Sequence, residues 1–124
     1  MLTPDLLHDY QKRAVNFQCS MPETALWLDP GLGKTVTTLT SAAHLLNTGF
    51  LRGVLVVAPI RVCRLVWKQE SKKWAHLQHL NFMLMTGTRD QRTRALLKGG
   101  THIWLINYEN LGWLAETLHT YFIA

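Results

Sequence analysis

The chain has 124 residues, 48% of them apolar and 17% charged, and its 13 basic and 8 acidic side chains leave a net charge of +5. That length suits one domain with a real core, and the apolar content excludes a disordered chain. No apolar run reaches membrane-spanning length, no basic segment followed by an apolar one marks a secretory leader, and two distant cysteines, Cys19 and Cys63, suit a reducing compartment.

Thr3-Pro4-Asp5 reads as a helix start: a capping hydroxyl, a proline whose missing N–H does no harm, then an acid in the first turn. Leu6, Leu7, Tyr10, Ala14 and Phe17 recur at helical spacing after it. TALWLD, Thr24 to Asp29, is a short apolar run expected as a buried strand. A glycine loop follows, and Lys34 onward reads as a helix stopped by Gly49. GVLVVAP, Gly53 to Pro59, is continuous and β-branched, as expected of a strand buried on both faces.

Arg61 to Trp74 is expected as one helix, with Val62, Leu65, Val66 and Trp74 near helical spacing. NFMLMTG, from Asn81, reads as a third strand, and Thr88 to Gly100 as a short basic helix closed by two glycines. HIWLIN, from His102, reads as a fourth strand. A last helix from Tyr108 carries Leu111, Leu114, Leu118 and Phe122 on one stripe. His76 and His79 form a lone HxxH, which without further ligands reads as a solvated helix end.

Strands alternating with helices imply an α/β fold with right-handed crossovers and a mostly parallel sheet of about four strands. Residues 1–124 are read as one domain, since no linker or repeat interrupts them. Ligands on such sheets sit beyond the carboxyl ends of the strands. The glycine loop, Pro59 to Arg61 and Asn107 to Glu109 are expected at that edge.

The loop is LDPGLGKT, Leu28 to Thr35. The full phosphate-loop pattern places a glycine where this chain has Leu28. Gly31, Gly33, Lys34 and Thr35 remain, between an expected strand and an expected helix. Glycines let backbone N–H groups curl around an anion, and the helix start adds partial positive charge. Lys34 suits the β and γ phosphates, and the Thr35 hydroxyl suits Mg²⁺. The competing reading is a plain strand-to-helix turn with a solvated Lys34. The agreement of strand, spacing, Lys-Thr and helix favours the cradle.

LHDYQKRAVNF, LWLDPGLGKTVTTL, VLVVAPIRVCRLVWKQESKKW and WLINYENL occur in an order that resembles Swi/Snf-like superfamily-two helicases of the DEAD/H type, especially compact phage members. The resemblance covers most of the chain and implies an incomplete RecA-like P-loop domain, the N-terminal part of a first lobe. It implies ATP and Mg²⁺ as cofactors, with Gln11 on the adenine edge, Gly31, Gly33, Lys34 and Thr35 on the phosphates, and Thr35 on the metal. Within that family the missing first glycine is no objection, and Asp29 stands where an acid is common. Arg61 and Arg64 would contact nucleic-acid phosphates, and Asn107 would help hold the strand. The alternatives are exposed helix arginines, a solvent-facing glutamine and a simple helix cap. Lys68, Lys72 and Lys73 read as a solvated face first and a phosphate track second.

The family's next element ends in an Asp-Glu pair, and no such dipeptide occurs in this sequence. The second lobe with its arginine finger is not expected within these 124 residues. Losing such a finger alone can cost roughly 10³- to 10⁵-fold. The expectation is therefore a nucleotide-binding half-lobe without autonomous hydrolysis or unwinding. The alternative is a stand-alone phage-encoded binding protein that occupies a host DNA-processing or defence complex, in the bacterial cytoplasm. A sheet ending after four strands would leave core surface bare, which favours a partner or a homo-oligomer.

Overall fold

The computed structural model describes residues 1–20 and 34–120. The expected strand at 24–29, the glycines of the loop and Phe122 lie outside the described residues.

The N-terminus does not form one continuous helix. Pro4–Leu6 makes a 3-10 turn, Leu7 is extended, and helix α1 then runs Asp9–Ser20. Tertiary anchoring causes the break. The backbone N–H of Leu2 donates to Lys73 (2.9 Å), the N–H of Ala75 donates back to Leu2, and Leu7 is buried in the core. Thr3 forms no backbone cap, and its hydroxyl bonds the Asp5 carboxylate instead.

Helix α2, Lys34–Asn47, ends where expected, with Gly49 just beyond at positive φ. Strand β1, Val54–Val57, follows. The expected helix over 61–74 is two helices, α3 (Ile60–Leu65) and α4 (Trp67–Lys72), meeting at Val66. Val66 still donates to Val62, and its carbonyl accepts from Glu70, so the helical path bends there without ending. Strand β2 is Phe82–Met85, helix α5 Arg89–Leu96, strand β3 Ile103–Ile106 and helix α6 Leu111–Leu118. A 3-10 turn at Tyr108–Asn110 leads into α6.

Helix α5 has a full capping box. The Thr88 hydroxyl accepts the Gln91 N–H, and the Gln91 side chain accepts the Thr88 N–H. Gly87, at φ +89°, makes the preceding turn, and a Cβ there would meet the Gln91 carboxamide.

All described strands are parallel, in the order β1-β3-β2, with Val54 and Phe82 both opposite Ile103. Period-two alternation divides the side chains between two cores. Val54, Val56, Ile103, Leu105, Phe82 and Leu84 pack with α2, Cys63, Trp74 and Leu77 on one face. Val57, Trp104, Ile106, Met83 and Met85 pack with α5 and α6 on the other. Leu111, Leu114 and Leu118 supply the α6 stripe, as their spacing predicts.

Strand β1 is not buried on both faces. It forms an edge of the described sheet, and Leu55 is 45% exposed. Central β3 is the strand that fits that description, with Ile103, Leu105 and Ile106 all buried.

Candidate functional site

Parallel pairing sends the carboxyl ends of β1, β2 and β3 to one edge, where each strand gives way to a loop. At that edge Ala58-Pro59 leads into α3, and Asn107 leads into the 3-10 turn before α6. Helix α2 ends shortly before β1 begins, so the two run in opposite senses along the core. The start of α2, with Thr35 half-buried in its first turn, thereby falls toward the same edge. Val36, one residue on, shares a core cluster with Ala58 and Cys63.

Cys63 fixes α3 against the edge. Its thiol is 2% exposed and lies 3.5 Å from the carbonyl oxygens of both Ala58 and Ile106, just past β1 and at the end of β3. Burial pushes its pKa up, which keeps it a neutral thiol. With Cys63 turned inward, Arg61 and Arg64 are exposed, one helical turn apart. Spacing alone left Cys63 without a role, because its partners lie on two strands distant in sequence.

Gln11 is not solvent-facing. It is 5% exposed, and its side-chain oxygen accepts the backbone N–H of His8 at 2.8 Å. His8 precedes α1 and Gln11 is its third residue, so this is the backward half of a capping box. The carboxamide is oriented by its own helix start.

Asn107 is 8% exposed and precedes the 3-10 turn, but its side chain makes no backbone cap bond. Its oxygen accepts from the Asn110 side chain (2.7 Å), and its amide donates to Glu109. Asn107 thus ties the turn together, while Tyr108 projects to solvent. Within the HxxH pair, His76 departs from the solvated helix end expected of it. It is half-buried, and its Nε2 lies 2.8 Å from the Thr40 hydroxyl, joining the segment after α4 to α2. Burial lowers its pKa, and His79 lowers it further. Among the described residues no cluster of His, Cys, Asp or Glu could hold a metal.

A nucleoside triphosphate with Mg²⁺ suits the donors at this edge. The start of a 14-residue helix offers N–H groups to an anion, and Thr35 offers a hard oxygen to Mg²⁺. Gly31 and Gly33 lie outside the described residues.

The SNF2-related domain family matches residues 10–123. The p41 protein of Acyrthosiphon pisum secondary endosymbiont phage 1 is 33% identical over 110 residues, covering 88% of this chain and 24% of its own length. The solved Sulfolobus solfataricus SWI2/SNF2 ATPase core in complex with dsDNA matches with a TM-score of 0.65 and 26% identity, over 85% of this chain and 22% of that one. The chain thus spans about a quarter of the length of these relatives. Among the described residues no helix is long and apolar enough to cross a membrane. The parallel α/β sheet with its helix-start edge corresponds to part of a RecA-like core, and the chain belongs to the SNF2-related domain family.

Proposed function

We propose that this chain supplies the nucleotide- and nucleic-acid-facing corner of an SNF2-type ATPase lobe. The observation that carries this reading is the convergence at one sheet edge of the α2 start, the Cys63-pinned α3 and the Asn107 turn. ATP with Mg²⁺ would be held by Gln11 at the adenine and by Gly31, Gly33, Lys34 and Thr35 at the phosphates, with Thr35 also on the metal. Bound there, Mg²⁺ would neutralise phosphate charge. Arg61 and Arg64 would contact nucleic-acid phosphates, and Asn107 would act as a positioning residue by shaping its turn. The dsDNA held by the Sulfolobus neighbour supports this assignment.

The 124 residues contain no Asp-Glu dipeptide, so the polypeptide by itself would bind nucleotide without turning it over. Calorimetric titration of ATP and Mg²⁺ into wild type and Lys34→Ala tests the assignment. Binding that the substitution removes is expected, with no phosphate release from either protein. Absence of binding by wild type would remove the nucleotide reading.

The phage relative favours a second reading, in which the scaffold occupies a host or phage partner in the bacterial cytoplasm. The exposed Leu55 on β1, an edge of the described sheet, is where such a partner, or a second copy, would seat. Sizing with light scattering, with and without host extract, separates partner-bound, self-associated and monomeric chain. A stable monomer that retains nothing from extract would exclude this second reading.

A further inference from the structure

At the opposite edge of the described sheet, β2 pairs with β3 on one side only. The carbonyl of Asn81 accepts the N–H groups of His102 and Ile103, so it points toward β3. In a parallel ladder the N–H and C=O of one residue point the same way, and successive residues alternate. Met83 and Met85 therefore also face β3, and Phe82 and Leu84 turn their backbone groups outward. Among the described residues, no group outside the sheet bonds the backbone of Phe82 or Leu84.

This open edge forms the floor of a groove. Two depressions of about 310 and 580 Å³ adjoin there, sharing Met83 and Lys98. Arg64 and Lys68, from α3 and α4, stand on one bank, and Arg94 and Lys98, on and just after α5, stand on the other. No acidic side chain lines either depression.

We propose that this groove docks an extended acidic peptide segment, which adds to β2 as a further strand. The occupant follows from two features together. Outward N–H and C=O groups in alternation match a peptide backbone, which both donates and accepts, whereas a phosphate chain only accepts. The four cations on the banks select carboxylates. A second copy of this chain would bring the same four cations against themselves, and like charges juxtaposed across an interface oppose pairing. Apolar side chains of the occupant would meet Leu80, Met83 and Leu84. Arg64 is shared with the nucleic-acid reading, so the test acts on Arg94 and Lys98, which take no part in that site.

The test uses the 124-residue chain and a fluorescein-labelled peptide of about eight residues in which pairs of glutamates alternate with pairs of valines, so that carboxylates face both banks. Two control peptides replace glutamate by lysine or N-methylate alternate backbone amides. Fluorescence anisotropy is expected to show saturable binding of the first peptide, with each control weaker by about tenfold or more. The exposed double substitution Arg94→Glu with Lys98→Glu, its folding checked by circular dichroism, should weaken the first peptide by a similar factor. Hydrogen exchange should show new protection of the Phe82 and Leu84 amides. The proposal is overturned if no peptide binds, if the N-methylated peptide binds equally, or if the double substitution has no effect. It is also overturned if a short DNA duplex displaces the peptide and protects the same amides, which would make the groove a nucleic-acid track.

Discussion

Replacing Cys63 tests how α3 is held against the carboxyl edge of the sheet. The thiol is almost wholly buried and donates toward the carbonyls of Ala58 and Ile106. Cys63→Ala removes a buried group of roughly methylene size, a transfer loss of about 0.8 kcal/mol. The residual cavity and the two weakened contacts raise the cost to about 1–2 kcal/mol. In a domain of this size that lowers Tm by about 4–8 °C. Cys63→Ser separates bonding from filling. A hydroxyl in the same place donates more strongly to either carbonyl, so serine should lose less stability than alanine. Thermal and urea unfolding of the three proteins gives the order, and thiol titration of the native protein should find Cys63 slow to react. A serine variant less stable than the alanine variant would refute the bonding role. Rapid labelling of native Cys63 would refute its burial.

His76 predicts an acid-sensitive joint. Its pKa is lowered in the folded protein, so below its ordinary value of 6.5 the unfolded chain takes up the proton first. Stability should be flat above that pH and fall beneath it, and His76→Gln should reduce the slope; an unchanged slope would exclude His76 as its source. Gly53→Ala would place a Cβ 2.6 Å from the Trp104 ring, whose Nε1 is held by the Ala95 carbonyl at 2.9 Å. The expected cost is about 1–3 kcal/mol by urea unfolding, and a neutral result would show that the ring gives way. Gln11→Ala should cost about 1 kcal/mol by removing the acceptor for His8, whereas Gln11→Glu keeps that oxygen. If Gln11 also reads adenine, the glutamate variant should keep its Tm but bind ATP more weakly, and equal ATP affinity would leave Gln11 with capping alone.

Local pattern determined much of this protein. Apolar runs around Val54, Phe82 and Ile103 separated by helical spacings fixed an alternating α/β order, and alternation of that kind leaves few solutions other than a covered parallel sheet. Gly-Lys-Thr before a helix marked the edge where anions would bind. A basic segment from Thr88 closed by two glycines marked α5, whose start the structure fixes with a Thr88–Gln91 capping box. Other features depend on partners distant along the chain, which periodicity does not encode. Among the described strands, the order β1-β3-β2 left Leu55 exposed and made β3 the doubly buried strand. Anchoring of Leu2 beside Trp74 broke the expected first helix, and contacts from α2 and from two strand ends gave His76 and Cys63 their places. Such hydrogen bonds and burials arise only when separate elements meet, so the tertiary structure alone decided them.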